Sequence, residues 1–91
     1  MFRSSTGQAI TVYPNPAIDV LNLNFETEDV QNILIKVLDL NGRAVKTIVS
    51  VSNTGTNTAT IDIKDLASGQ YFIQLYTNDA LIFTDKVRKY N

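Results

Sequence analysis

Leu21-Asn22-Leu23-Asn24-Phe25-Glu26 alternates apolar and polar residues without a fault, the pattern of a strand with one dry and one wet face. Leu21, Leu23 and Phe25 therefore point inward. Ile33, Ile35 and Val37 repeat the period in the next run, and Ala59, Ile61 and Ile63 repeat it beyond a Ser/Thr/Asn/Gly-rich loop read from Ser50 to Asn57. Tyr71, Ile73 and Leu75 make a fourth inward row, and Leu81, Phe83 and Val87 a fifth. No window of about 11 residues keeps the helical period of about 3.6, so helices longer than a turn are not expected. The runs are rich in Val, Ile and Thr, whose branched side chains lose rotamer freedom in helices and pack well on a pleat. The fold class is all-β: roughly five to seven short strands with a turn about every 8 to 12 residues form a β-sandwich.

Two turns add detail. At Asp39-Leu40-Asn41-Gly42, a two-residue Asn-Gly hairpin would set Val37 opposite Lys46 and waste a core position. A longer loop, in which Asp39 opens a type I turn and Gly42 takes the left-handed region as a bulge, sets Val37 opposite Val45 and Asp39 opposite Arg43. Burial favours the second register, because a slip of one residue turns every side chain to the wrong face. The other turn is Asp65-Leu66-Ala67-Ser68-Gly69-Gln70-Tyr71. Here Leu66 plugs the end of the core, Gly69 supplies a positive φ, and Tyr71 stands just inside the next strand. This corner resembles the tyrosine corner of immunoglobulin-like sandwiches, in which the phenol packs inside and its hydroxyl bonds to upstream backbone.

Composition narrows the chemistry. The 91 residues suffice for one domain, and 44% apolar with 19% charged residues is the usual balance of a folded chain. The sequence contains no His and no Cys. Imidazole and thiolate nucleophiles, their pairings with Ser, and zinc, copper or iron–sulfur sites on N or S ligands are thereby removed. No enzymatic activity and no cofactor are expected. The net charge of −1 supplies too little positive field to gather nucleic acid or an anionic bilayer, and no segment approaches the ~20 apolar residues of a spanning helix. Residues 1–9 read as a linker or added start without the apolar core of a secretory signal, so an exported parent would contain this chain as a fragment.

Four features taken in order carry a family likeness: Tyr13-Pro14-Asn15-Pro16 ahead of the first alternating strand, Asp39-Leu40-Asn41-Gly42-Arg43, Leu66-Ala67-Ser68-Gly69-Gln70-Tyr71, and Lys86-Val87-Arg88-Lys89. Together they resemble the type A C-terminal sorting domain of the type IX (Por) secretion system, found in Bacteroidetes, over residues 10–91. The resemblance implies a seven-stranded, immunoglobulin-like antiparallel β-sandwich that acts as a folded export signal. It implies a covalently attached N-terminal passenger, which passes through the periplasm and crosses the outer membrane by the type IX translocon. It also implies a cell-surface sortase that removes the domain and anchors the passenger at the surface. Family members often close on an apolar residue and Lys, whereas Tyr90 and Asn91 follow Lys89 here.

Pro14, Asn15, Pro16, Asp39, Gly42, Leu66, Gly69 and Tyr71 are read as defining the fold, with Pro14 and Pro16 marking an edge or lead-in strand. Lys86, Val87, Arg88 and Lys89 are the candidates for recognition: three cations in four residues form a positive patch at a terminal strand, although charged edges also serve to keep strands from pairing. An exposed last strand would further permit a strand-swapped homodimer. Other readings are weaker. Glu26, Glu28 and Asp29 lack the spacing of a calcium loop, Asp62 and Asp65 lack a cleft, and Tyr13, Tyr76 and Tyr90 would need to share a face to stack on sugar. The competing function is a fibronectin-like or carbohydrate-binding accessory module of a secreted enzyme.

Overall fold

The computed structural model describes residues 10–14 and 17–90. Seven strands follow in chain order: β1 Thr11–Tyr13, β2 Val20–Thr27, β3 Asn32–Leu38, β4 Ala44–Val51, β5 Gly55–Asp62, β6 Gly69–Thr77 and β7 Ala80–Lys89. They form two antiparallel sheets, one ordered β1-β2-β5 and the other β4-β3-β6-β7. In constant-type immunoglobulin domains the fourth strand stands beside the fifth. Here the tight turn after β3 keeps β4 with β3, and the chain changes sheets afterwards, through residues 52–54.

The inward rows expected from the sequence close the core. Leu21, Leu23, Ile73 and Leu75 have no exposed surface, and Ile35, Val37 and Ile61 have almost none. Each such side chain contributes about 1.5–3 kcal/mol by leaving water. Ala59 and Leu66 pack against this core from its margin. Leu81 does not belong to it. A bulge places Ile82 as an extra residue between the Leu75–Phe83 and Tyr76–Leu81 pairs, so Ile82 and Phe83 turn inward while Leu81 is 49% exposed on the outer face.

Gly42 has a φ of 84°, its N–H donates to the Asp39 carbonyl at 3.0 Å, and the Asp39 N–H donates to the Arg43 carbonyl at 2.9 Å. The Gly-bulged loop therefore forms as expected. The register beyond it does not persist: Leu38 faces Ala44, but Val37 faces Lys46, because Val45 is an additional bulged residue. No core position is lost. Val45 still packs on the core margin, and Ile48 comes opposite Ile35. The segment 50–57 is also shorter as a loop than the sequence suggested, since β4 continues to Val51 and β5 begins at Gly55.

Side chains explain that shortening. The Asn57 amide donates to the carbonyls of Asn53 and Gly55 at 2.9 and 3.1 Å, and accepts the Asn53 N–H at 2.8 Å. Ser52, buried, donates from its hydroxyl to the Asp29 carbonyl and accepts the Gln31 N–H at 3.0 Å. The buried Thr27 hydroxyl donates to the Asn53 carbonyl at 2.7 Å. The β2–β3 and β4–β5 crossings between sheets are thus tied to each other, and polar residues that read as loop are used as strand ends.

Candidate docking surface

At the β3–β4 turn the Asp39 carboxylate accepts the N–H groups of Asn41 and Arg43, each at 2.9 Å, and pairs with the Arg43 guanidinium at 3.4 Å. The Arg43 N–H bond is the main cause holding this carboxyl below the usual carboxylate range, with the Asn41 N–H and the Arg43 charge acting in the same direction. At the second corner, Tyr71 is buried and its hydroxyl donates to the Ala67 carbonyl at 2.6 Å, which closes the tyrosine corner. Gly69, with a φ of 153°, turns the chain into β6. Lys46 reaches the same corner and pairs with Asp65 at 2.7 Å, and this hydrogen bond is the main cause lowering the Asp65 carboxyl. Asp39, Gly42, Leu66, Gly69 and Tyr71 thus occupy two turns that set the register and join the sheets. Pro14 follows the edge strand β1 and is exposed; Asn15 and Pro16 lie outside the described residues, as do the linker residues 1–9.

The Lys86–Lys89 segment lies at the end of β7 and does not present one surface. Alternation sends Val87 and Lys89 inward, both 3% exposed, while Lys86 and Arg88 are exposed outside. The Lys89 ammonium donates to the Tyr90 carbonyl at 3.1 Å. The patch of three cations is corrected to two on the outer face. The strand edge is also partly occupied. Ala17, wholly buried, donates its N–H to the Arg88 carbonyl and accepts the Tyr90 N–H, both at 2.8 Å. The Lys86 N–H donates to Asp85 Oδ1 at 2.8 Å. The Lys86 N–H, the Arg88 carbonyl and the Tyr90 N–H are therefore used within the chain.

Cross-strand registers define a broader surface that the sequence reading missed. On the outer side of the four-stranded sheet, Val49, Leu34, Tyr76 and Leu81 stand in one row across all four strands. The next row is Thr47, Lys36, Gln74 and Thr84, and the one after it Ala44, Leu38, Phe72 and Lys86. Val49 is 78% exposed, and the Lys36 ammonium lies 5.3 Å from the centre of the Tyr76 ring. The three-stranded sheet has the opposite character. Thr58 and Thr60 donate from their hydroxyls to Asn24 and Asn22 Oδ1 at 2.8 and 2.9 Å, and Tyr13 donates to Asn24 at 3.3 Å. Tyr13 and Tyr76 are on opposite outsides, so the three tyrosines share no sugar-stacking face. Asp62 accepts the Lys64 N–H while Asp65 holds Lys46, and the two acids do not face each other.

Sheet order, turn chemistry and the tyrosine corner define an immunoglobulin-like β-sandwich. An immunoglobulin-like protein from Pseudomonas aeruginosa superimposes with a TM-score of 0.54 at 10% identity, covering 99% of this chain and 97% of its own. The alkylpurine DNA glycosylase AlkC of Pseudomonas fluorescens, solved with DNA containing an abasic-site analogue, gives a TM-score of 0.49 at 12% identity, covering 90% of this chain and 30% of its own. No curated protein is significantly similar in sequence. The pattern of the secretion system C-terminal sorting domain matches residues 11–89, and the chain belongs to that family, the sorting domains of type IX secretion.

Proposed function

We propose that this domain is the address by which an attached passenger is carried across the outer membrane, and that it performs no catalysis itself. The family match over residues 11–89 carries the proposal. The closed sandwich supports a signal read as a folded body: β7 is packed through Phe83 and Val87, and clipped through Ala17, so its outer side chains are held in fixed positions. The translocon would recognise that shape. After passage, a surface sortase would remove the domain and leave the passenger anchored at the cell surface.

The test is a fusion of the whole 91-residue chain to the C-terminus of a fluorescent passenger with a Sec signal, in a host with the type IX machinery. Antibody labelling of intact cells is expected to find the passenger outside. Accumulation in the periplasm, at the level of a passenger without the domain, overturns the proposal. The size of the delivered passenger reads out the sortase step separately: loss of about 10 kDa is expected.

A further inference from the structure

Export by a folded signal requires some face of the sandwich to be read, and the outer side of the four-stranded sheet has the chemistry for it. The row Val49, Leu34, Tyr76 and Leu81 crosses all four strands, and Leu38 with Phe72 forms a second apolar pair two rows away. Lys36, Lys86 and Arg88 stand among and beside them. No Asp or Glu holds a strand position of this face among the described residues. Asp85 lies at the rim, with Oδ1 on the Lys86 N–H. The opposite outside carries Glu26 and Asp62 and no cation on its strands, so a net charge of −1 for the whole chain conceals two faces of unlike sign.

The geometry points to this face as the docking surface for a partner protein whose own surface carries apolar side chains among carboxylates, an inference that rests on the sorting role proposed above. Charge complementarity names the partner's sign, and like-charge juxtaposition excludes partners of the wrong sign. A second copy of the chain is a poor occupant, because Lys36, Lys86 and Arg88 would meet their own kind. Four strands about 4.8 Å apart and three rows about 7 Å apart give roughly 400 Å² of face, about half of what each partner buries in a stable interface. Edge-to-edge pairing along the end of β7 is obstructed as well, with that edge engaged by Ala17 and by Asp85. A lipid surface fits less well: the apolar groups lie flat in rows, and the exposed apolar loop residues Val30 and Leu40 are isolated on separate turns. The small area suits a contact that forms and releases during handover.

Three fusions of the fluorescent passenger test this: the unaltered chain, a Lys36→Glu/Lys86→Glu/Arg88→Glu variant, and a Glu26→Lys/Thr58→Lys/Asp62→Lys variant of the opposite face. With all three melting cooperatively by circular dichroism, surface delivery is expected to fall about tenfold for the first variant and to stay within about twofold for the second, as rim charges mainly govern encounter. Should charge reversal unfold the chain, Lys36→Gln/Lys86→Gln/Arg88→Gln replaces it, with a fall of about threefold expected. Equal delivery by both faces' variants overturns the docking face while leaving the sorting role intact; failure of the unaltered fusion overturns the sorting role itself. Sedimentation with vesicles containing anionic lipid is expected to leave the chain in solution. Co-sedimentation that the Lys36→Glu/Lys86→Glu/Arg88→Glu variant abolishes would assign the face to lipid and overturn a protein partner.

Discussion

β2 and β3 fill the same core, the one with Leu21, Leu23 and Phe25 and the other with Ile33, Ile35 and Val37, yet their outward residues differ. Behind β2 stand Asn22, Asn24 and Glu26; behind β3 stand Leu34, Lys36 and Leu38. The polar back is self-contained, with Thr58 and Thr60 hydroxyls bound to the two asparagines. It demonstrates that a sheet of this sandwich folds with a largely polar outside, Val20 and the Tyr13 ring excepted. The apolar rows behind β3 and β6 are therefore surplus to closing the core, and exposed apolar side chains grouped among polar ones are the usual mark of a partner site.

The strongest way to break this comparison lies beneath both faces. Ile73→Ala empties a position with no exposed surface and is expected to cost about 2–5 kcal/mol in chemical denaturation. Leu34→Thr, on the outer row, is expected to cost under about 1 kcal/mol while lowering delivery. A loss from Leu34→Thr as large as that from Ile73→Ala would make the outer row structural and dissolve the contrast. Gly42→Ala forces a side chain into the left-handed region and is expected to cost about 1–2 kcal/mol. Tyr71→Phe removes the bond to the Ala67 carbonyl, with about 1 kcal/mol lost and the melt still cooperative. Gly42 sits in a turn and Tyr71 faces the core, so neither belongs to the outer rows and any change in delivery should track stability alone.

The smallest effect is electrostatic. The Asp39 and Asp65 carboxyls are lowered in the folded chain, so the stability they add is present above the ordinary carboxylate range and is lost as pH falls through their folded values. Asp65 is exposed and Asp39 half-buried at the surface, and the shift is expected to be slight: a marginally lower melting midpoint at about pH 2.5 than at about pH 6. Backbone amide signals of Asn41 and Arg43 should titrate with Asp39, below where an unpaired carboxylate titrates. An Asp39 titration in the ordinary range would remove the assigned role of those N–H bonds.

Period-two alternation made the inward rows readable, and burial confirms them because only one side of each strand faces the core. The same logic concealed the docking face. β3 and β6, in Asn32-Ile33-Leu34-Ile35-Lys36-Val37-Leu38 and Tyr71-Phe72-Ile73-Gln74-Leu75-Tyr76, carry apolar residues on both sides. That departure from clean alternation was the available signal, and it marks strands covered on two faces. Two bulges were not legible, since an extra residue at Val45 or Ile82 leaves no mark of its own on the pattern, and the second sent Leu81 outside. Nor did charge reveal that Lys89 is buried. Its position follows from the parity of β7 and from the Ala17 bridge, a contact between residues far apart in sequence.

The most direct measurement is surface delivery of the passenger by the intact chain beside the same fusion carrying Ile73→Asp, whose unpaired charge in the core prevents folding. The account predicts strong labelling of intact cells for the first and retention or degradation in the periplasm for the second. Equal surface labelling of the two would contradict it, because the address would then reside in the linear sequence and no face of the sandwich would be read.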